Sequence, residues 1–143
     1  MQLDAILDLW RKDSEIGLEL SNESLNIPKL HHKYYSIFVD ERLLLLKLNS
    51  ELKKLERAKT DYYSGTMDIE ELNERGWKPW ALKVLKTDIP SYIDSDNDII
   101  DLNLRIGYQK EKIDLLDSII KTVSNRGFQI KNAIDFMRFQ SGG

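Results

Sequence analysis

The 143-residue sequence contains no cysteine, only three prolines and seven glycines, and only two histidines. The absence of cysteine excludes disulfide bonds, thiol catalysis and cysteine-based zinc sites. The scarcity of proline and glycine permits long, uninterrupted helices. The longest apolar run, Leu43–Leu46, is far shorter than the ~20 residues of a membrane span, and the first residues do not resemble a secretory signal. We therefore expect a soluble intracellular protein that does not contact a membrane.

The residues that make up the common catalytic and metal sites are also missing. His31 and His32 are adjacent, so on a helix they point about 100° apart and do not form an i, i+4 pair of ligands. The acidic run Asp94–Asp98 lacks the central glycine and the terminal glutamate of a calcium loop, and we interpret it as a loop that caps the next helix. No glycine-rich phosphate loop is present. The sequence predicts no enzyme, no metal site and no cofactor.

Apolar residues recur at helical spacing along most of the chain. Residues 29–63 carry them at steps of mainly three and four and end near Gly65, which predicts a long amphipathic helix with a glycine cap. Residues 1–12 predict a shorter helix, whereas residues 13–28 predict a turn with at most a short helix. Residues 66–97 are irregular. We predict an all-α fold with long amphipathic helices in one domain.

The most regular pattern lies in residues 98–124, after which Asn125–Gly127 predict a break or bend before a last helix over residues 128–139. All four first-core positions of its heptads are isoleucine, as in a coiled-coil seam. The eight seam residues are Ile99, Leu102, Ile106, Gln109, Ile113, Leu116, Ile120 and Val123. The polar Gln109 fixes the register or stoichiometry of the seam, or else is partly exposed.

A second apolar stripe lies nearly opposite the seam on the same predicted helix. Its residues are Ile100, Leu104, Tyr108, Leu115 and Ile119. A helix that is apolar on two faces must bury both, either between its own protomer and a partner chain or inside a single monomer core. We predict the first arrangement, in which the seam residues mediate homo-oligomerisation through the C-terminal helices of residues 98–139.

The net charge of −3 conceals an uneven distribution. Residues 29–63 carry eight basic and five acidic groups, and residues 104–143 carry seven and four, whereas the two remaining stretches are acidic. The basic blocks are compatible with ordinary solvated helix faces or with a nucleic-acid surface. At the end of the first block stand four cations followed by two tyrosines: Lys53, Lys54, Arg57, Lys59, Tyr62 and Tyr63.

This segment has two interpretations. Cations near a helix C-terminus interact favourably with the helix dipole, and a tyrosine pair that ends a helix is often part of a core. Alternatively, the cations form a phosphate-binding strip and the tyrosines stack on bases.

The segment Asp61–Gly65 (Asp-Tyr-Tyr-Ser-Gly), directly after a basic helix, resembles the corresponding segment of the UvsY recombination mediators of T-even-like phages. Asn125–Lys131 resembles their Arg-Gly-Phe-x-Ile-Lys segment, and Met137–Phe139 their Met-Arg-Phe-like stretch.

The resemblance implies an all-helical, ring-like homo-oligomer, a hexamer or heptamer, in the cytoplasm of the infected bacterial host. It implies binding of single-stranded DNA, with the phage recombinase and the phage single-strand-binding protein as partners. It also implies that the protein helps the recombinase to displace the single-strand-binding protein. Before the two tyrosines the family has Lys-Ala-Arg, where this chain has Arg57-Ala58-Lys59. We predict that Arg57 and Lys59, aided by Lys53 and Lys54, contact phosphates within an N-terminal DNA-binding region, residues 1–65.

Stacking by Tyr62 and Tyr63 is a secondary part of this prediction. The alternative function is a coiled-coil adaptor or structural assembly protein with no nucleic-acid role, which the heptad pattern alone would equally support. Binding of single-stranded DNA distinguishes the two functions.

Overall fold

A computed structural model describes residues 1–142, which form six helices and no strand. The helices are α1 (Leu3–Asp13), α2 (Leu20–Leu25), α3 (Ile27–Tyr63), α4 (Ile69–Arg75), α5 (Ile89–Asp94) and α6 (Asn97–Gln140). The prediction of an all-α fold is confirmed. The chain packs as two compact units, one made of Met1–Leu44 and the chain from Gln109 onward, the other of Leu45–Tyr108. Each unit takes part of α3 and part of α6, so the units do not follow the predicted regions 1–65 and 98–139.

The long helix α3 ends where the sequence predicts. Gly65 has φ +75, a left-handed conformation that favours glycine. Its N–H donates to the carbonyl of Tyr62 at 3.1 Å, and the N–H of Thr66 donates to the carbonyl of Asp61 at 3.0 Å. This pair of bonds is a Schellman cap, which satisfies two carbonyls at the end of the helix.

Of the break or bend predicted at Asn125–Gly127, the break is wrong, because α6 continues through these residues and has 44 residues in all. A glycine inside a helix costs about 1 kcal/mol relative to alanine, and contacts on either side of Gly127 offset this cost. Val123 and Ile130 are buried. Between them, the buried Arg126 donates from its Nη2 to the carbonyl of Asp13 at 2.6 Å and so satisfies the end of α1.

The core of the first unit is built from three helices. Its buried residues come from α1, α3 and α6: Ile6, Leu30, Tyr34, Leu116, Ile119 and Val123. The ring of Trp10 meets that of Tyr34 edge to face at 5.5 Å, and the Tyr34 hydroxyl donates to Asp13 Oδ2 at 2.8 Å. Burial raises the pKa of Tyr34 and the hydrogen bond to Asp13 raises it further, so the phenol keeps its proton.

The second unit has a smaller core along α3 and α6. Leu48 packs with Leu102 and Ile106, and the half-buried Leu45, Leu52 and Leu55 of α3 complete the cluster. The four-residue and three-residue steps of these leucines explain why this face of α3 turns inward. The unit also contains α4 and α5, which are joined by a loop without helix or strand.

The heptad seam lies inside a single chain, which corrects its predicted role. Ile99, Leu102, Ile106, Gln109, Leu116 and Val123 are buried, and Ile113 and Ile120 are half-buried. Within each unit the seam packs on helices of the same chain. The periodicity correctly indicates a buried face, but an apolar spacing does not specify whether the covering helix belongs to the same chain or to a partner.

The second stripe has two different environments. Leu115 is half-buried and Ile119 is buried in the first unit, whereas Ile100, Leu104 and Tyr108 are exposed in the second. We call these three residues the exposed stripe. Leu104 is 68% exposed, so the outward face of α6 in this unit is apolar and in contact with solvent. A subunit contact through α6 would therefore use the exposed stripe in place of the seam.

Gln109 sets the register between α3 and α6 in the first unit. Its Nε2 donates to the carbonyl of Glu41 at 2.8 Å and to Glu41 Oε2 at 2.6 Å. Lys112 Nζ lies 2.9 Å from the same Oε2. Burial alone would raise the pKa of Glu41, but the hydrogen bonds from Gln109 and Lys112 lower it below its usual value. A polar residue in the seam thus specifies one intramolecular alignment.

Candidate nucleic-acid interface

Three of the four predicted phosphate contacts lie together on the surface of α3. Lys53, Lys54 and Arg57 are exposed, and none of them pairs with a carboxylate among residues 1–142. We call these three residues the α3 strip. Lys47, also exposed, lies one heptad before Lys54 on the same side of the helix and extends the strip over about 15 Å, at 1.5 Å per residue.

Lys59 is not part of the strip. It is 4% exposed, and its Nζ lies 3.0 Å from Asp96 Oδ2 and 2.8 Å from Asp98 Oδ2. It also lies 3.7 Å from the centre of the Trp77 ring, a cation–π contact. Its predicted phosphate contact is therefore corrected, because Lys59 is buried in the second unit, where two carboxylates neutralise its charge and an indole covers it.

Helical geometry explains the difference between Arg57 and Lys59. Because the two residues are two positions apart on a helix, their side chains point about 160° apart. Lys59 instead follows Leu55 by four residues and so continues the inward face of Leu48, Leu52 and Leu55. This signal was available in the sequence, and it separates a structural cation from the exposed strip.

The two tyrosines are also engaged within the chain. Tyr63 is buried, and its hydroxyl donates to Asp96 Oδ2 at 2.6 Å. Tyr62 is half-buried, and its hydroxyl donates to the carbonyl of Lys78 at 2.6 Å. The Tyr62 ring meets the rings of Trp77 and Trp80 at 5.3 and 5.8 Å. The predicted stacking on bases is corrected for Tyr63, whose ring faces the interior, and Tyr62 has little free ring surface.

These tyrosines belong to an aromatic cluster of five rings in the second unit. Its members are Tyr62, Tyr63, Trp77, Trp80 and Tyr92. The Trp80 ring meets those of Tyr63 and Tyr92 edge-on at 4.8 and 5.6 Å. Edge-to-face contacts of this kind stabilise by about 0.5–1.5 kcal/mol beyond the burial of area. The sequence offered no role for Trp77 and Trp80, which now join the end of α3 to the loop after α4.

Asp96 connects this cluster to the start of α6. Its Oδ1 accepts from the N–H groups of Asp98 and Ile99 at 2.9 and 3.2 Å, so the prediction that an acid in this run caps the next helix is confirmed. Burial alone would raise the pKa of Asp96, but hydrogen bonds from Tyr63, Lys59 and Ile99 lower it below its usual value. The carboxylate therefore stays ionised and joins the end of α3 to the start of α6.

A glycine cap places Trp77 in the cluster. Gly76 ends α4 with φ +69, and the N–H of Trp77 donates to the carbonyl of Leu72 at 3.0 Å. This Schellman geometry returns the chain toward the helix it has just left. The loop that follows, residues 76–87, contains three lysines and no acidic residue. We call it the basic loop, and its lysines, Lys78, Lys83 and Lys86, are all exposed.

An open groove of about 440 Å³ also lies in the second unit. Its polar lining alternates in sign, with the three cations Lys54, Arg75 and Arg105 beside Glu51, Asp98 and Asp101. Because the charges balance, the groove does not concentrate positive potential for a phosphate. Among residues 1–142, no cluster of histidine and acidic side chains has the arrangement of a metal site, and no helix in that range is long and apolar enough to cross a membrane.

Comparison with known proteins gives consistent matches over nearly the whole chain. The model of the family described as recombination, repair and ssDNA binding protein UvsY matches residues 9–143. The recombination protein uvsY of Enterobacteria phage T4 is 23% identical over 143 residues, covering 99% of each chain. A crystal structure of the bacteriophage T4 recombination mediator protein UvsY, lattice type IV, superposes with a TM-score of 0.84 at 21% identity, covering 97% of this chain and 99% of that chain. The crystal structure of the same protein in lattice type II superposes with a TM-score of 0.84 at 22% identity, covering 99% of this chain and 98% of that chain.

Proposed function

The chain belongs to the UvsY family of recombination, repair and single-stranded DNA-binding proteins, and from this premise we propose that it is a recombination mediator. In this role it binds single-stranded DNA, promotes loading of a recombinase onto that strand and helps to displace the single-strand-binding protein that covers it. No catalytic group is needed for these steps, because they consist of binding and exchange between proteins on one strand.

The α3 strip is the proposed DNA contact, and the observation that carries the proposal is that its exposed cations have no ion-pair partner among residues 1–142. Lys53, Lys54 and Arg57 are exposed without a carboxylate partner in the described chain, which is the state that phosphate binding requires. Arg57 can bind two phosphate oxygens at once, whereas the lysines act as point charges. Since phosphates carry no sequence information, we expect little preference among sequences.

Self-association strengthens this proposal. A chain with a net charge of −3 binds a polyanion better when several basic strips act on one strand, because each further contact occurs at high effective concentration. We propose a ring-like homo-oligomer, a hexamer or heptamer. Two exposed apolar surfaces support it: the exposed stripe in the second unit, and the last turns of α6 in the first, with Phe128, Phe136, Met137 and Phe139. Apolar patches of this kind commonly mark protein interfaces.

The first experiment removes the α3 strip. In the variant Lys53→Ala/Lys54→Ala/Arg57→Ala, the affinity for an oligothymidine should fall, and the slope of log K against log salt should become shallower by roughly 2, at about 0.7 per phosphate on a single strand. A matched control, Lys12→Ala/Lys29→Ala/Lys131→Ala, makes the same change in net charge at exposed lysines of the first unit and should bind like the parent.

The second experiment tests mediation. A recombinase is added to a strand already coated with the single-strand-binding protein, and the lag before filament assembly is measured. The parent chain should shorten the lag, the strip variant should not, and the control should behave like the parent. If the parent binds single strands but leaves the lag unchanged, the chain is a DNA-binding protein and not a mediator. If the strip variant binds like the parent at every salt concentration, the DNA contact lies elsewhere.

A further inference from the structure

The basic loop, residues 76–87, holds three exposed lysines that the α3 strip does not include. Between Arg75 and Asp88 the sequence has no acidic residue, and none of Lys78, Lys83 and Lys86 pairs with a carboxylate in residues 1–142. The second unit is otherwise rich in acids, so this loop is a local concentration of free positive charge. Such a concentration attracts a polyanion even on an acidic chain.

The loop is anchored to the same end of α3 that carries the strip. The carbonyl of Lys78 accepts from the Tyr62 hydroxyl at 2.6 Å, and Trp77 and Trp80 pack into the aromatic cluster. Tyr62 follows Arg57 by five residues, a rise of about 7.5 Å along the helix. The basic loop therefore begins about one and a half turns beyond Arg57 and is anchored on the other side of α3, within one compact unit, so a strand that contacts both must pass around the end of this helix.

This arrangement also indicates a structural role for the buried Lys59. Its ammonium contacts the Trp77 ring and two carboxylates and so holds the start of the loop against α3. A loop held in this way loses less conformational entropy when it binds a ligand, because its first residues are already ordered. The exposed leucines, Leu82 and Leu85, add apolar surface that can pack against unstacked bases.

Two other acid-free stretches of the chain are longer than the loop, and both differ from it in the state of their cations. Residues 24–39 contain two lysines, of which Lys33 pairs with Asp13. Residues 118–134 also contain three basic residues. However, Lys121 pairs with Asp117 at 2.8 Å, and Arg126 is buried against the end of α1. Only one cation of that stretch remains free, whereas all three in the basic loop do.

We propose that the basic loop is a second contact for single-stranded DNA, in which Lys78, Lys83 and Lys86 bind the phosphates that follow those on the α3 strip. This inference rests on the proposed function, because it adds a second contact for the same strand. It assigns the aromatic cluster a positioning role: the rings hold the loop and do not stack on bases.

The test replaces the loop lysines, with Lys78→Ala/Lys83→Ala/Lys86→Ala compared with the parent and with the charge-matched Lys12→Ala/Lys29→Ala/Lys131→Ala. The salt slope for oligothymidine binding should become shallower by roughly 2 in the loop variant and stay unchanged in the control, while circular dichroism and the urea midpoint match the parent in both. An unchanged slope in the loop variant, or an equal loss in the control, overturns the inference. If the parent itself binds no single strand, the proposed function fails, which is a separate result.

Limited trypsin digestion gives an independent readout on the unmodified chain. Cleavage after Lys83 and Lys86 should be slowed by oligothymidine and not by polyglutamate of the same charge. Protection by polyglutamate alone would overturn the inference in favour of an acidic protein partner. Protection by neither probe would show that the loop remains free when DNA is bound to the strip, and this also overturns it.

Discussion

The ammonium of Lys59 lies 3.0 Å from the carboxylate of Asp96, a residue 37 positions later in the chain that caps α6. Both side chains are buried. The pair joins the end of α3 to the start of α6, and Tyr63 completes it with a hydroxyl that donates to the same oxygen. A basic residue that resembles a DNA contact in the sequence is therefore a structural residue of the second unit.

Replacement of Lys59 by alanine should lower the free energy of unfolding by about 3–5 kcal/mol, because it leaves the buried Asp96 without its countercharge. Lys53→Ala, on the exposed strip, should change it by less than about 0.5 kcal/mol. Urea denaturation monitored by circular dichroism measures both. Equal stability of the two variants would mean that Lys59 is solvated and remains available to bind phosphate.

Acid should destabilise the protein through carboxylates whose pKa is lowered in the fold. The pKa values of Asp13, Glu41 and Asp96 all lie below their usual values, since hydrogen bonds and nearby cations outweigh burial. A group of this kind stabilises the fold fully above its unfolded-state pKa, about 4, and the contribution is lost as the pH falls through the lower folded-state value. Urea midpoints should therefore be level from pH 7 to about 5 and decrease from there to pH 3.

The variant Asp96→Asn tests whether Asp96 causes part of this loss of stability in acid. Asparagine can still cap α6 but carries no charge for Lys59, so stability at pH 7 should fall. Because one depressed carboxylate is gone, the remaining dependence on pH between 5 and 3 should be weaker than in the parent. Curves that run parallel for parent and variant would show that Asp96 is not a source of the acid sensitivity.

The sequence predicted the helices well because helix formation depends on local spacing and on end signals such as Gly65. It predicted phosphate contacts at Lys53, Lys54, Arg57 and Lys59, and the first three are exposed without a carboxylate partner in residues 1–142. The helical spacing after Leu55 indicates that Lys59 points inward, but its partner Asp96 was not predictable, because that contact joins distant parts of the chain. The same limit applies to Trp77 and Trp80, whose neighbours come from the end of α3 and from α5.

The seam illustrates how far periodicity can be used. Eight positions from Ile99 to Val123 were predicted as a buried face, and all of them are buried or half-buried. The spacing could not specify whether the covering helix belongs to the same chain. Gln109 was predicted to fix the register or stoichiometry of the seam, or else to be partly exposed. It is buried and bonds Glu41 of the same chain, so it sets an intramolecular register.

Aspartate substitutions on the two faces of α6 should have different consequences. Ile106→Asp buries an unpaired charge and should cost several kcal/mol of stability. Leu104→Asp, on the exposed stripe, should leave the fold intact and lower the mass in solution if the stripe is a subunit surface. Asn103→Asp adds the same charge at an exposed neighbouring position and serves as the control. Light scattering and urea denaturation separate these effects. A Leu104→Asp variant that is folded and keeps the parent's mass in solution would exclude the exposed stripe as a subunit contact.

Alanine substitutions at Gly107 and Gly127 test whether α6 runs unbroken through the segment where the sequence predicted a break. Gly65→Ala, at the end of α3, provides a left-handed glycine for comparison. A Cβ at Gly127 would lie 4.0 Å from Ile27 Cδ1, an ordinary contact, and one at Gly107 would meet nothing within 4 Å. Both variants should therefore gain about 0.5–1 kcal/mol of stability, as alanine does in a helix interior. Gly65→Ala should instead lose about 1–2 kcal/mol, because its φ of +75 is left-handed. Thermal unfolding measures all three variants. Destabilisation by Gly127→Ala alongside stabilisation by Gly107→Ala would place a break at Gly127 and contradict the continuous helix.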